Sequence, residues 1–373
     1  MRPSRTVERH PGSAASLQHL RHVASGFSLV ELMIGIVISI ICTLGIMSAF
    51  AAYEGQKRTT TSSNDAQQSG SFALYKLERQ VRSAGSGIVQ GKNWGVWGCG
   101  ISGLAASALP ATFSGYGLPA TSLAIPVLIS SGGTNNPDVI DIVSGNPTLQ
   151  VFKVGVASAP DATSLTVSNG FGILANDYLL GTLADGSCKL GKVSSRSTND
   201  ITLVTATTLV TGLASAVKVF DMGSRPQFTL FGVDTTSNAL IEYDQLQRAA
   251  EGGTTGLTVA DGIVQMKALY GVSIGGAALV WVPPTGAWSI ANLTANTAAA
   301  MTAASQIKAI RIAVVAQSRL PERGSDYKSG STSLTLFRDL PTQQFVMATQ
   351  TQFRYKVYDT TIPVRNALIT TYF

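Results

Sequence analysis

The sequence predicts an α+β protein: a long N-terminal helix, membrane-spanning and then amphipathic, packed on a β-rich, mainly antiparallel globular head. Three observations predict it. Leu32 to Tyr53 is an uncharged apolar run, and the next charge is Glu54. A helical, amphipathic period succeeds that run. From about residue 88 the pattern changes to short stretches of Val, Ile, Leu, Thr and Tyr set between Gly, Asn, Asp and Ser. The implied organisation is a leader at 1–26, a helix at 27–85 that spans the membrane at 32–53, and a head at 86–373.

The apolar run, at ~1.5 Å per helical residue, reaches about 33 Å, which is enough to cross a bilayer core. Arg2, Arg5, Arg9 and Arg21 precede it and favour a cytoplasmic N-terminus. Lys57 and Arg58 come after it and pull weakly the other way. A secretory signal carries its cleavage site after the apolar stretch. Here the Gly26-Phe27 junction lies before it, so cutting there would leave the anchor on the protein. Glu31 stands at the mouth of the run. A carboxylate there is costly in a bilayer and asks for a partner.

Beyond the run, Leu74, Leu77, Val81 and Ala84 fall on one face of a helix, and Glu78 and Arg82 form an i,i+4 pair on another. Residues 59–63, Thr-Thr-Thr-Ser-Ser, are poor helix formers and predict a bend or a melted turn. Ala84-Gly85-Ser86-Gly87 supplies the stop. In the head, strands are predicted at 138–143, 164–167, 178–183, 201–205, 227–233, 239–243, 266–272, 278–282, 307–315 and 352–358. Residues 291–305 read as one short helix, and 102–128 as a long irregular loop. Trp94 and Trp97 are expected to cap a core, and Tyr372-Phe373 to seal the last strand.

Composition narrows the chemistry. Charged residues make up 13% of the chain, against roughly 25% in average globular proteins. Loss of the leader, with four Arg and one Glu, lowers the net charge from +6 to +3, a weak pull on acidic partners. His10, His19 and His22 all lie in the leader, so the cut chain would hold no histidine. That argues against Ser-His-Asp and Cys-His catalysis and most zinc ligation. Gly271-Val272-Ser273-Ile274-Gly275 fits G-x-S-x-G, without a histidine or a clear following helix. Gly186 to Lys192 has Walker-like spacing, but Val193 stands where a Ser or Thr should bind magnesium. Asn135, Asn136, Asp138 and Asp141 offer oxygens to calcium without a full ligand spacing, and turn chemistry accounts for them. The reading is therefore no enzyme, no cofactor and no metal.

Of the three cysteines, Cys42 sits in the apolar run as a small packing residue. Cys99 and Cys188 would both lie outside the cytoplasm, where disulfides form. Pairing them would close a loop of about 90 residues and contribute ~4–5 kcal/mol in the chain-entropy model. Two separate buried thiols are the other reading.

Gly26-Phe27-Ser28-Leu29-Val30-Glu31 ahead of such a helix resembles the class III signal of type IV prepilins and pseudopilins. The resemblance implies cleavage between Gly26 and Phe27 by a membrane prepilin peptidase, which also methylates Phe27. It implies that Glu31, fifth in the cut chain, aids docking by neutralising a neighbour's terminal amine. Scattered stretches look like PilW-type minor pilins: Arg82 to Gly85 and Trp97 to Gly100, Asn176 to Leu180 leading to Cys188, Asp261 to Val272, Ile307 to Val315, and Tyr358 to Asn366. The role implied by this resemblance is that of a minor pilin that primes assembly or sits at the fibre tip. Its partners would be the prepilin peptidase, other major and minor pilins, the inner membrane and the assembly platform. Its head would be periplasmic before assembly and extracellular in the pilus fibre afterwards. A type II secretion pseudopilin shares the signal and helix but is usually smaller, and a membrane-tethered enzyme or ligand-binding module lacks any motif. Arg311, Arg319, Arg323, Lys328 and Arg338 make the C-terminal region basic, which usually means a solvated face, so nucleic acid is not the expected partner.

Overall fold

Leu29–Ser83 forms one helix of 55 residues, α1. The computed structural model describes residues 26–88, 96–105, 109–118, 121–149, 153–207, 210–250, 253, 255–295, 297–321 and 332–369. Residues 1–25 of the expected leader, together with Trp94, Arg323, Lys328, Tyr372 and Phe373, lie outside them. The chain divides into two units, Met1–Gln56 and Lys57–Phe373. The first is, in its described part, the N-terminal half of α1. The second holds the rest of α1 and every described strand.

Within the second unit α1 buries Ser62, Ala66, Gly70, Ala73, Leu77, Gln80 and Val81. The spacing of three and four residues is one helix face. Leu77, Val81 and Ala84 are fully buried, as their period predicts, and Leu74 packs beside them. Residues 59–63 correct the expectation of a bend, because the helix runs through them unbroken. Threonine and serine cost only a few tenths of a kcal/mol each in a helix. Packing offsets that here: Ser62 is buried, and its Oγ accepts the N–H of Leu320 at 3.4 Å.

Among the described residues the chain then lays down 19 strands, four short α-helices and two single-turn 3-10 helices, Ala111–Phe113 and Gly286–Trp288. In order come β1 (Gly100–Ala105), β2 (Thr121–Leu123), β3 (Val127–Ser130), β4 (Val139–Ser144), β5 (Val154–Ser158) and β6 (Ser164–Val167). Next are β7 (Tyr178–Thr182), β8 (Cys188–Ser197), β9 (Asp200–Leu203), β10 (Lys218–Gly223), β11 (Gln227–Asp234) and β12 (Ala239–Asp244). After α2 (Gln245–Ala250) come β13 (Leu257–Asp261), β14 (Ile263–Val272) and β15 (Val280–Val282). Helices α3 (Ile290–Leu293) and α4 (Ala298–Gln306) lead to β16 (Ile307–Gln317). Last are β17 (Ser333–Leu336), β18 (Phe345–Ala348), β19 (Tyr355–Pro363) and α5 (Arg365–Ile369).

Two further expectations need correcting. Residues 102–128 contain most of β1, all of β2 and the start of β3, which were too short and too rich in Gly and Ser to show a period. Residues 291–305 hold parts of two helices, each with its own N-cap: Ser289 accepts from Asn292, and Thr297 accepts from Ala300. A second cap inside one apolar stretch divides it.

The described strands form sheets that are antiparallel except for β1 beside β8. The largest has the order β2-β1-β8-β7-β10-β5-β6-β9, and β9 also pairs with β8. That last pairing closes six strands into a ring. Inside it lie Val154, Leu165, Leu179, Val193, Leu203 and Val219, a core of its own. A five-stranded sheet runs β13-β12-β11-β4-β3, and a four-stranded one β15-β14-β16-β19. Ile140, Phe228, Met266, Ile310 and Val314 from these two sheets share the main core with Leu77 and Val81 of α1. The β17–β18 hairpin belongs to a separate cluster, with Leu269 and Val315 of the four-stranded sheet.

Candidate functional site

The residues of the expected signal lie at the foot of α1. Gly26, Phe27 and Ser28 are non-helical, and the Ser28 carbonyl accepts the first helical bond, from Leu32 N–H at 3.1 Å. Ser28 therefore stands at the N-cap position and Glu31 three residues on, the spacing of a capping box. The Ser-x-x-Glu spacing went unread in the sequence. A carboxylate in the first helical turn also meets the positive end of the helix dipole. Among the described residues Glu31 has no ion-pair partner.

From Phe27 to Tyr53 the large side chains form one continuous apolar surface; Phe27 is 80% exposed, and Leu29, Val30, Leu32, Met33, Ile34 and Ile36 continue it. Among the described residues α1 is the one helix long and apolar enough to cross a membrane. Its hydroxyls fit that environment. Ser39 donates to the Ile36 carbonyl (2.9 Å), Thr43 to Ser39 (2.7 Å) and Ser48 to Gly45 (2.8 Å). A hydroxyl satisfied within its own helix carries little penalty in lipid, whereas an unpaired one costs several kcal/mol. Cys42 is a free thiol in this stretch.

In the second unit, several contacts hold the helix against the head. Tyr358 of β19 lies over Gly70, and its hydroxyl donates to the Gln67 carbonyl at 3.0 Å. Asn366 of α5 donates through Nδ2 to the carbonyls of Ser83 (3.4 Å) and Ala84 (2.8 Å). Gly85 comes next in a left-handed conformation, φ +79°, and its N–H reaches the Val143 carbonyl at 2.7 Å. The two Asn366 bonds fill acceptors that a helix end leaves open. Lys76 pairs with Glu242 at 2.9 Å, and Arg82 with Glu78.

Cys99 and Cys188 are joined in a disulfide, with Cα atoms 5.7 Å apart, beside the parallel pairing of Ile101 with Cys188. The bond ties the segment that leaves α1 to the six-stranded ring. Trp97 is buried near it and donates to the Ile88 carbonyl at 3.1 Å.

Several of the remaining candidates have structural partners. Asp138 forms a buried ion pair with Lys267 at 2.8 Å and accepts the N–H groups of Gly132 and Ala268, both at 3.0 Å. Burial pushes its carboxyl up, against the pull of Lys267 and those donors. Lys267 also donates to the Gly133 carbonyl and sits 4.5 Å above the Phe345 ring. Asp141 is buried in β4, and burial pushes its carboxyl up to about 7. No group of three or more potential metal ligands occurs among the described residues. Ser273 follows β14 and donates to the Ala277 carbonyl, and Gly186 turns the chain from β7 into strand β8 rather than into a helix. Arg311 is engaged by Asp339 (2.7 Å) and Asp359 (2.6 Å), so it is not a free basic group.

Residues 227–366, from β11 into α5, match the family model described as Type IV Pilus-assembly protein W, PilW. No curated protein matches the chain significantly. Among solved structures, a type IV-like pilin from Thermus thermophilus, TTHA1219, is 12% identical over 52% of this chain and 87% of its own. Its TM-score of 0.22 is too low for the likeness to carry an argument.

Proposed function

We propose that this chain, a PilW-type, pilin-like protein, is a non-enzymatic minor pilin of a type IV pilus, cut between Gly26 and Phe27 and methylated at Phe27. The observation that carries the reading is the first half of α1. It presents an apolar surface with its hydroxyls internally satisfied and one carboxylate, Glu31, in its first turn. Such a surface suits lipid before assembly and a bundle of like helices afterwards. The carboxylate needs a cation in either setting, since an isolated buried charge is costly. The new N-terminal amine of a neighbouring subunit is that cation in this proposal. The PilW match over the head supports placement in a pilus system. The head would be periplasmic in the anchored protein and extracellular in the fibre, where it primes assembly or caps the tip. The prepilin peptidase and other pilins are the partners this role requires.

Mass spectrometry of the N-terminus, from sheared fibres and from membranes, tests the reading. N-methylated Phe27 in fibres is the expected result. The same terminus confined to membranes favours the priming role, or a secretion pseudopilin, over a place at the fibre tip. An uncut Met1 chain in both fractions overturns the proposal.

A further inference from the structure

The four-stranded sheet ends in an edge strand of unusual length. β19 has nine residues, and it pairs with β16 from Ala309↔Pro363 to Gln317↔Tyr355 without a register shift. The other open edges among the described strands are short. β2 and β15 have three residues each, β3, β17 and β18 have four, and β13 has five with a shifted register. Short and irregular edges discourage pairing with foreign strands. β19 has neither protection, and its proline comes only at its last position, Pro363.

The phase of the ladder shows which groups are free. Val364 N–H donates to the Lys308 carbonyl, and Ser318 N–H to the Arg354 carbonyl, so even-numbered residues of β19 face β16. In an antiparallel pair the alternate residues point their N–H and C=O groups the other way. Those residues are Tyr355, Val357, Asp359 and Thr361, and among the described residues no strand pairs with them on that side. The faces of β19 are engaged: Tyr358 and Ile362 pack into the main core, and Tyr355 and Val357 into the cluster with β17 and β18. Only the edge is open, and Asp359 and Thr361 lie along it, both exposed.

We propose that the outer edge of β19 receives an extended segment of a second, different subunit as an added strand. Only an extended backbone matches a row of outward N–H and C=O groups at this repeat. Charge favours a different chain over a second copy. Lys356 and Arg365 are exposed and carry no ion pair among the described residues, while Asp359 is already held by Arg311. A second copy of β19 offers no free carboxylate to meet Lys356, because its own Asp359 is held in the same way. The incoming strand therefore carries an acidic residue that meets Lys356. The inference rests on the pilus reading only in making that partner another pilin.

The test places a photo-cross-linking residue at Lys356 in the full-length protein, in membranes and in sheared fibres. The same probe at exposed Arg225 serves as a control for general proximity. The expected result is one dominant cross-linked segment from one other pilin. Thr361→Pro, which deletes only an outward N–H, should reduce that product at least fivefold while leaving the melting temperature and the Arg225 products unchanged. If Thr361→Pro fails to fold, replacing Val357 by its α-hydroxy acid removes an outward N–H without a ring. Products that survive either change, come mostly from a second copy, or spread evenly over many chains overturn the strand addition. An uncut chain that still cross-links through Lys356 to one acidic segment of another protein would sink the pilus reading and retain this one.

Discussion

Tyr358 closes over Gly70: a Cβ built on that glycine would lie 2.2 Å from the tyrosine ring. The contact joins β19 to the middle of the buried face of α1, and it explains why small residues occupy that part of the face. Gly70→Ala gains up to about 1 kcal/mol of helix propensity but forces the ring away, at a cost of ~1–3 kcal/mol. We expect a net loss of stability, relieved when Tyr358→Val is added. Chemical denaturation of both single variants and the double variant checks this, and additive effects would contradict it.

Asn366 acts at the far end of the same helix. Asn366→Ala leaves the Ala84 carbonyl without its 2.8 Å donor, an expected loss of about 1–2 kcal/mol. Hydrogen exchange should show faster opening in the last turn of α1, with the six-stranded ring unaffected.

Loss of the Cys99–Cys188 bond should matter more. Cys188→Ser should lower stability by about 2–5 kcal/mol. Reductant should depress the melting temperature of the parent protein towards that of the variant and leave the variant unchanged.

Asp141 makes stability depend on pH with a definite sign. Burial holds its folded carboxyl near 7, above the ordinary value of 3.8. Between those values the unfolded chain has released the proton and the folded chain retains it, so this group lowers stability as pH rises from about 4 to 7. Asp221 and Asp244, both pushed up to about 6 by burial, act in the same direction. Asp141→Asn should flatten the profile over that window and stabilise the protein at pH 7, by on the order of 2–4 kcal/mol at most. An unchanged slope would remove Asp141 from the account.

Glu31→Val tests the foot of α1. Under the proposed function the variant should still be cut and methylated, because the junction is intact, yet enter fibres poorly. Normal pilus numbers and normal incorporation would sink the docking role of Glu31.

The apolar span, the amphipathic face of Leu77, Val81 and Ala84, and strands such as 164–167 and 239–243 were legible because each lies within a few turns or one strand. The predicted strand at 352–358 instead appears as Tyr355–Pro363. β5, β10 and β13 went unnoticed, since Gly, Ser and Asp interrupt their alternation and partners on other strands hold them. The predicted bend at 59–63 failed for a related reason, because burial of Ser62 outweighed local propensity.

The sequence by itself determined the long apolar helix, the lone Glu31, the absence of histidine beyond residue 22 and the change from helical to strand period. These are local patterns, set by neighbours along the chain. Tertiary structure alone decided that β9 returns to β8 to close a ring and that Lys267 neutralises Asp138. It also decided that Asn366 caps α1 and that β19 is left at an edge. Each joins segments separated by loops or by most of the chain. Which distant backbones and charges meet depends on how the sheets pack around a shared core, and no local period encodes it.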